Sequence, residues 1–313
     1  MIISASRRTD IPSCYPDWFL NRIREGFVLV RNPMNFRQVS KIRLTPDVVD
    51  GIVFWTKNPA PILDRLPELD DYMYYFQFTL TPYGGDIEPN IPEKSRVLKV
   101  FKRLAEMIGA DRVIWRYDPI VINERYSLGY HLSVFERMAG ELKGFTRRVT
   151  ISFVDENYRG VKHNMRKLAL SPFPVEMQME LGAQMAEIAH SYGLSIDACG
   201  EKTDLQQFGI EHARCIDARL FEKLLGCCLN VGQDRNQRPE CRCAASIDIG
   251  MYNTCLNGCL YCYANYNPTM VARNWEAHNP GSPLLFGDVG SEDMITEREV
   301  RSCKDFQLRW EDL

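Results

Sequence analysis

The stretch Ser246-Ile-Asp-Ile-Gly250, closely followed by Asn253-Thr-Cys-Leu-Asn-Gly-Cys-Leu-Tyr-Cys-Tyr263, joins a short apolar segment to three cysteines in the spacing C-x3-C-x2-C. Alternating isoleucines bounded by serine and glycine predict a buried strand that ends in a loop. Three thiolates this close, from Cys255, Cys259 and Cys262, suffice to hold three irons of a 4Fe-4S cluster and leave the fourth without a protein ligand. The segment lies near the end of a chain of 313 residues. The fold therefore turns on which other strands it joins.

Six further runs share its form, apolar or β-branched and ending in polar residues. They are Ile2-Ala5 before Ser6-Arg7-Arg8-Thr9-Asp10, Gly51-Trp55 before Thr56-Lys57-Asn58, Tyr74-Leu80 before Thr81-Pro82, Val113-Tyr117 before Asp118-Pro119, Val149-Val154 before Asp155-Glu156, and Leu194-Ala198 before Cys199-Gly200-Glu201. Each reads as a buried strand followed by a loop. Between them lie helical stripes. Val97, Val100, Phe101, Leu104, Met107 and Ile108 mark one face of a helix from Pro92 to Ile108, which Gly109 stops. Met177, Leu181, Met185, Ile188 and Ala189 do the same from Pro174 to Tyr192, and shorter helices are expected at Pro16-Arg24, Leu132-Leu142 and Asp217-Leu225. Strands alternating with helices predict an α/β fold on a parallel sheet with right-handed crossovers. Seven strands favour a TIM-like (β/α) barrel, complete or partial, over an open doubly wound sheet, and no G-x-G-x-x-G follows the first strand. The boundary is drawn between a barrel region, residues 1–215, and a cysteine-rich region, residues 216–313, that contributes a barrel strand and the cysteine loop.

A net charge of −3 gives no global footprint for nucleic acid. Arg31, Arg37, Lys41 and Arg43 form a local basic run read as a solvated loop, Gln233-Pro239 is read as a surface loop, and the charged tail beyond Gly290 as an exposed helix. The amino terminus lacks the apolar core of a signal peptide and no run is long enough to cross a bilayer, so a cytoplasmic protein without a membrane partner is expected. Eight of the eleven cysteines fall between Cys215 and Cys262. In a reducing compartment such clustering reads as metal ligands rather than as a disulfide framework.

The spacing, the aromatic Tyr261 before the last cysteine, and the strand just upstream resemble the signature of radical S-adenosylmethionine (SAM) enzymes. The whole chain also resembles an uncharacterised bacterial family of domains of unknown function, whose C-terminal cysteine cluster looks like the N-terminal one of radical SAM enzymes. That likeness is close at Ile3-Ser-Ala-Ser-Arg-Arg-Thr-Asp-Ile-Pro12, Val53-Phe-Trp-Thr-Lys-Asn-Pro59, Trp115-Arg-Tyr-Asp-Pro119 and Ser246 through Ala264. The radical SAM resemblance implies a cluster whose free iron chelates the amino and carboxylate groups of SAM. One electron then cleaves the sulfonium to methionine and a 5′-deoxyadenosyl radical, which abstracts a hydrogen atom. In such enzymes the triplet follows the first barrel strand. A circular permutation is therefore implied, with Ser246-Gly250 beside Ile2-Ala5 and Ser4-Asp10 where the usual family binds the SAM amino group. This chain has no Gly-Gly-Glu there.

Cys199, Cys215, Cys241 and Cys243 make a second set, enough to close an auxiliary Fe-S cluster or a structural zinc site. The main triplet with Cys241 or Cys243 would alternatively form one closed zinc site. Arg7, Arg8, Asp10, Thr79, Arg116 and Asp118 stand at strand ends as cofactor-binding candidates. Arg116 is read against the SAM carboxylate and Asp118 against ribose hydroxyls. Lys57, Asn58, Asp155, Glu156 and Glu201 are read as residues that line the substrate cavity. None of the five histidines has ligand spacing, and Cys14 and Cys303 look incidental. The expectation is a radical SAM enzyme of unknown substrate, served by a one-electron donor such as flavodoxin or ferredoxin. A nucleic-acid modifying or repair lyase of the same class is one alternative, and a non-catalytic zinc or Fe-S binding protein is the other.

Overall fold

The computed structural model describes residues 1–306. The chain opens with β1 (Ile2–Ala5), α1 (Ile11–Cys14) and α2 (Pro16–Glu25), then a hairpin of β2 (Phe27–Asn32) and β3 (Asn35–Arg43). Strands then alternate with helices: β4 (Gly51–Thr56), β5 (Tyr74–Thr79), α3 (Lys94–Ile108), β6 (Val113–Ile120), α4 (Leu128–Leu142), β7 (Arg148–Phe153), α5 (Arg159–Leu168), α6 (Val175–Ser191), β8 (Ser195–Ala198) and β9 (Glu211–His212). The remainder comprises α7 (Ala218–Leu225), β10 (Cys228–Leu229), β11 (Ile247–Asp248), α8 (Pro268–Glu276), β12 (Met294–Glu297) and β13 (Lys304–Asp305).

Eight strands make one sheet in the order β11-β1-β4-β5-β6-β7-β8-β9. Every neighbouring pair in it is parallel. All seven segments expected as strands are in this sheet, and β9 adds the eighth. The strand that precedes the cysteine loop is the last of the eight in sequence yet pairs with the first, Ile3 opposite Ile247 and Ser4 opposite Asp248. Among the described residues no pairing joins β11 to β9.

Alternation along the strands divides the sheet into two faces. Ile3, Phe54, Phe76, Phe78, Trp115 and Val149 belong to the core shared with the outer helices. Ile2, Val53, Tyr75 and Ile114 point the other way and pack against Ile216, Phe221, Cys215 and Cys243. The cysteine-rich region thus fills the start of the inner face. A Cβ on Gly51 would stand 2.2 Å from the Phe221 ring, which is why α7 sits directly on β4. Further along each strand the inner residues become polar, as in Ser4, Gln77, Arg116 and Thr150, and there the inner face opens into a cavity.

Two local readings are corrected. The basic run Arg31–Arg43 is no loop: it spans β2 and β3, which pair as a hairpin with β12 at its side. The part of the tail read as helix contains that strand, Met294–Glu297, while residues 307–313 lie outside the described part. Arg31 is paired with Asp293 at 2.7 Å, Arg37 with Glu292 at 2.8 Å and Arg43 with Asp47 at 2.6 Å, so the three arginines present no uncompensated basic face. Among the described residues no helix is long and apolar enough to cross a membrane.

Candidate metal and cofactor site

The cavity lies at the C-terminal ends of the parallel strands and encloses about 740 Å³. That is within the range of small-molecule and cofactor sites. Its wall includes Ser6 to Asp10 after β1, Trp55 to Lys57 at the end of β4, Thr79, Arg116 and Asp118, and Cys199 to Glu201 after β8. The three cysteines of the triplet line it, as do Cys199, Cys215, Cys241 and Cys243. Gln233–Pro239 runs over the surface, as expected, and there roofs this space with Asp234, Asn236, Gln237 and Arg238. Arg238 holds it there by donating to Asp155 at 2.9 Å.

The cysteine loop is held by its own asparagines and by the β1 loop. Asn265 accepts from the Cys255 amide at 3.1 Å, and Asn253, in the left-handed region at φ 55°, accepts from the amides of Tyr266 and Asn267. Asp248 of β11 ties the two strand ends together. It accepts from the Ser4 and Ser6 hydroxyls at 2.8 and 2.7 Å and from the Arg7 and Gly250 amides at 2.9 and 3.0 Å. Asp10 caps α1 through the Ser13 amide and also accepts from the Lys57 amide at 2.8 Å and Asn257 Nδ2 at 2.9 Å. Burial pushes its carboxyl up, against those hydrogen bonds. Asp10 therefore positions the cysteine loop, and a carboxylate so engaged has little capacity left for a cofactor.

On its far side the loop rests on Glu88, a residue the sequence reading did not select. Glu88 is fully buried and accepts from Lys57 Nζ and Thr81 Oγ1, each at 2.7 Å, and from Lys94 and the Tyr261 hydroxyl. Burial opposes its charge, but Lys57 and Lys94 outweigh that and hold the carboxyl down at about 2. Burial and the charge of Lys57 push Lys94 itself down against the pull of Glu88, so Lys57 is the firmer partner. The aromatic between the last two cysteines is therefore a hydrogen-bond donor to the floor beneath them. Only Glu88-Pro89-Asn90 in a turn-rich loop hinted at it, and local sequence gives no sign of a partner so distant.

Helix α5 approaches the loop from outside. A Cβ on Gly160 would lie 2.1 Å from the Cys262 carbonyl oxygen, a backbone atom that cannot swing aside. Gly160→Ala is accordingly expected to displace the loop and destabilise the fold by about 1–3 kcal/mol. Gly129→Ala, where a Cβ meets nothing within 4 Å, is the comparison that leaves stability unchanged. Denaturant unfolding of the two variants reads the difference.

The remaining candidates divide by what they touch. The Arg8 guanidinium sits 5.1 Å from the Tyr252 ring centre and donates to the Gly250 carbonyl at 3.5 Å, with no carboxylate partner among the described residues. Arg7 reaches Asp234 at 3.4 Å and the Trp55 ring at 5.7 Å, while its Nη2 is buried with no hydrogen-bond partner among the described residues. Thr79 lines the cavity. Arg116 does not present a free fork to it: Nε and Nη2 are taken by Asp118, and Nη1 donates to Gln77 at 3.3 Å and to the Cys215 sulfur at 2.9 Å. Asp118 is held in turn by Arg116 and the Ser152 hydroxyl. Both residues line the cavity, where these bonds also brace its wall. Lys57, Asp155 and Glu201 line the cavity as expected, but Asn58 does not, and Glu156 lies at a separate small pocket. Burial pushes Glu201 up to about 7, with the carboxylates of Asp118 and Asp155 adding to it, so this wall carries a group near half-protonation at neutral pH. Cys14 lies next to Cys255, and this neighbour and burial both push the Cys255 thiol up.

A parallel α/β sheet with two groups of thiols at the C-terminal ends of its strands defines the class of this protein. Residues 2–264 match the family described as Domain of unknown function (DUF1848), and the chain belongs to it. No curated protein matches the chain. Among solved structures, the chain is similar to a "xylose isomerase-like TIM barrel/4-hydroxyphenylpyruvate dioxygenase fusion protein" at 11% identity and a TM-score of 0.26, with 63% of this chain and 21% of that one covered. The chain thus spans about a fifth of that protein's length.

Proposed function

We propose that the protein is a radical SAM enzyme built on a permuted, partial barrel, with Cys255, Cys259 and Cys262 as the ligands of a 4Fe-4S cluster. The observation that carries this reading is the placement of all three thiols on one wall of a cofactor-sized cavity, in a loop that leaves a strand paired with β1. The donor set fits the group. Three cysteines satisfy three irons and leave one position for a second ligand in the same cavity.

Cys255, Cys259 and Cys262 would hold the cluster, which would supply the one-electron reduction of SAM to methionine and a 5′-deoxyadenosyl radical. The chain's own contribution is placement and exclusion of water. Asp248 and Asp10 lock the Ser6-Asp10 loop against the cysteine loop, Arg8 offers an unpaired guanidinium to a carboxylate, and the Gln233–Pro239 roof limits solvent. Arg8 replaces Arg116 as the residue suited to the SAM carboxylate. A one-electron donor such as flavodoxin or ferredoxin is required as a partner, and the substrate occupies the rest of the cavity.

The test is anaerobic. The full chain, reconstituted with iron and sulfide, is incubated with SAM and dithionite, and 5′-deoxyadenosine is measured. Release that depends on both reductant and iron supports the reading, whereas stoichiometric zinc with no cleavage of SAM overturns it in favour of a metal-binding scaffold.

A further inference from the structure

Helix α5 has two faces of opposite character. Gly160, Val161, Asn164 and Leu168 turn inward. Val161 and Leu168 are buried in the apolar cluster that includes Cys259 and Tyr261, Gly160 meets the Cys262 carbonyl, and Asn164 Nδ2 donates to the Leu260 carbonyl at 2.8 Å. Arg159, Lys162, His163, Arg166 and Lys167 follow the i, i+3, i+4, i+7, i+8 spacing of the other face, and all five are exposed. The helix thus fixes a row of basic side chains to the back of the loop that carries the triplet.

These charges are unpaired. The helix contains no acidic residue, and none of its four lysines and arginines has an ion-pair partner among the described residues. Arg159 lies instead against the Tyr266 ring, 4.9 Å from its centre. The arginines that flank the helix are already engaged. On the N-terminal side Arg238 is paired with Asp155 at 2.9 Å, and on the C-terminal side Arg125 is paired with Asp86 at 3.0 Å, two residues from Asn123, whose Nδ2 donates to the Leu168 carbonyl. Glu156 is the exposed acid that precedes the helix. The basic face is therefore short, roughly 12 Å from Arg159 to Lys167, and it stands alone on a chain of net charge −3. Nucleic acid is held along a basic groove that tracks its backbone, whereas a compact island of this size matches an acidic patch on a protein and steers it into place. What lies behind the face selects the kind of protein. A partner seated on α5 stands about one helix diameter, roughly 10–12 Å, from the backbone of Cys262, close enough to pass an electron to the triplet and too far to exchange atoms with a ligand in the cavity.

We propose that the outer face of α5 is the docking surface for an acidic one-electron carrier protein, held by Arg159, Lys162, Arg166 and Lys167. The proposal rests on the reading of the triplet as the seat of a reducible cluster. One electron leaves the reduced carrier and enters the cluster, and no bond forms or breaks in that step. The test uses the anaerobically reconstituted full chain, with an acidic flavodoxin and an acidic ferredoxin as probes. Fluorescence anisotropy of each labelled carrier is expected to show binding of at least one of them, weakened as salt rises from about 0.05 to 0.3 M. Lys162→Glu, Arg166→Glu is expected to weaken that binding and to slow 5′-deoxyadenosine release driven by the reduced carrier, each by about tenfold, while release driven by dithionite keeps the wild-type rate. Lys162→Arg, Arg166→Lys is expected to match the wild type in every arm. The proposal is overturned if neither carrier binds, if charge reversal leaves binding and carrier-driven release unchanged, or if the milder Lys162→Gln, Arg166→Gln lowers the dithionite-driven rate as much as the carrier-driven one. Charge reversal that abolishes binding of a single-stranded oligonucleotide but not of the carrier would assign the face to nucleic acid and overturn it too. A wild type that binds a carrier in this charge-dependent way yet cleaves no SAM with dithionite would sink the proposed activity alone.

Discussion

Cys259→Ala is expected to bring 5′-deoxyadenosine release down to the background of a protein-free mixture, and to remove the iron held by the triplet. The size of the effect follows from ligand arithmetic. Three thiolates are the minimum that holds a four-iron cluster with one open iron, and two cannot hold it. Cys259 is the middle ligand and is buried beside Lys57. Burial pushes its thiol up and Lys57 draws it down, so the lysine eases the deprotonation that metal binding requires. Cys14→Ala is the informative companion. Cys14 lies next to Cys255 but is the last residue of α1, outside the triplet loop, and its loss is expected to leave both iron and cleavage in place. Equal loss in both variants would place Cys14 among the ligands.

The second large effect is on stability. Glu88→Ala is expected to cost about 3–5 kcal/mol in denaturant unfolding, because it strands the buried ammonium of Lys57 and the Tyr261 hydroxyl without an acceptor. Glu88→Gln keeps an acceptor for Thr81 and Tyr261 but removes the charge, and an intermediate loss is expected. The pH dependence has a definite sign. Glu88 falls from an ordinary 4.5 to about 2 on folding, so its contribution is complete above about pH 4.5 and is lost as pH falls towards 2. That window corresponds to about 3 kcal/mol for a shift of this size. In Glu88→Ala the acid limb of the stability profile flattens across the same window. An unchanged limb would show that Glu88 is not the group that titrates there.

The readable parts of the sequence were those governed by local periodicity. The helix ending at Gly109 runs Lys94–Ile108 with that glycine at φ 91°, and Asp217 caps α7 by accepting from the Arg219 and Leu220 amides. Seven short apolar runs sufficed to predict seven strands, because a strand buried on both faces needs continuous hydrophobic residues. The hairpin of β2 and β3 escaped although Val28, Leu29, Val39 and Ile42 are buried, because the apolar run Phe27–Val30 is short and the facing strand opens with the exposed, mostly polar stretch Asn35-Phe-Arg-Gln38. Arg116 illustrates the same limit in the site. Its type and strand-end position were visible, but its partners, Gln77 and Cys215, are brought to it by separate crossovers.

The sequence by itself determined the ligand types, the tight triplet and the strand that feeds it, since all of these lie within a few bonds of one another along the chain. Only the tertiary structure decided that this late strand pairs with the first, that Glu88 lies beneath Tyr261, and that Cys215 meets Arg116. Those contacts depend on strand order and crossover geometry, which join residues as far apart as Ser4 and Asp248 and leave no periodic trace in the sequence between them.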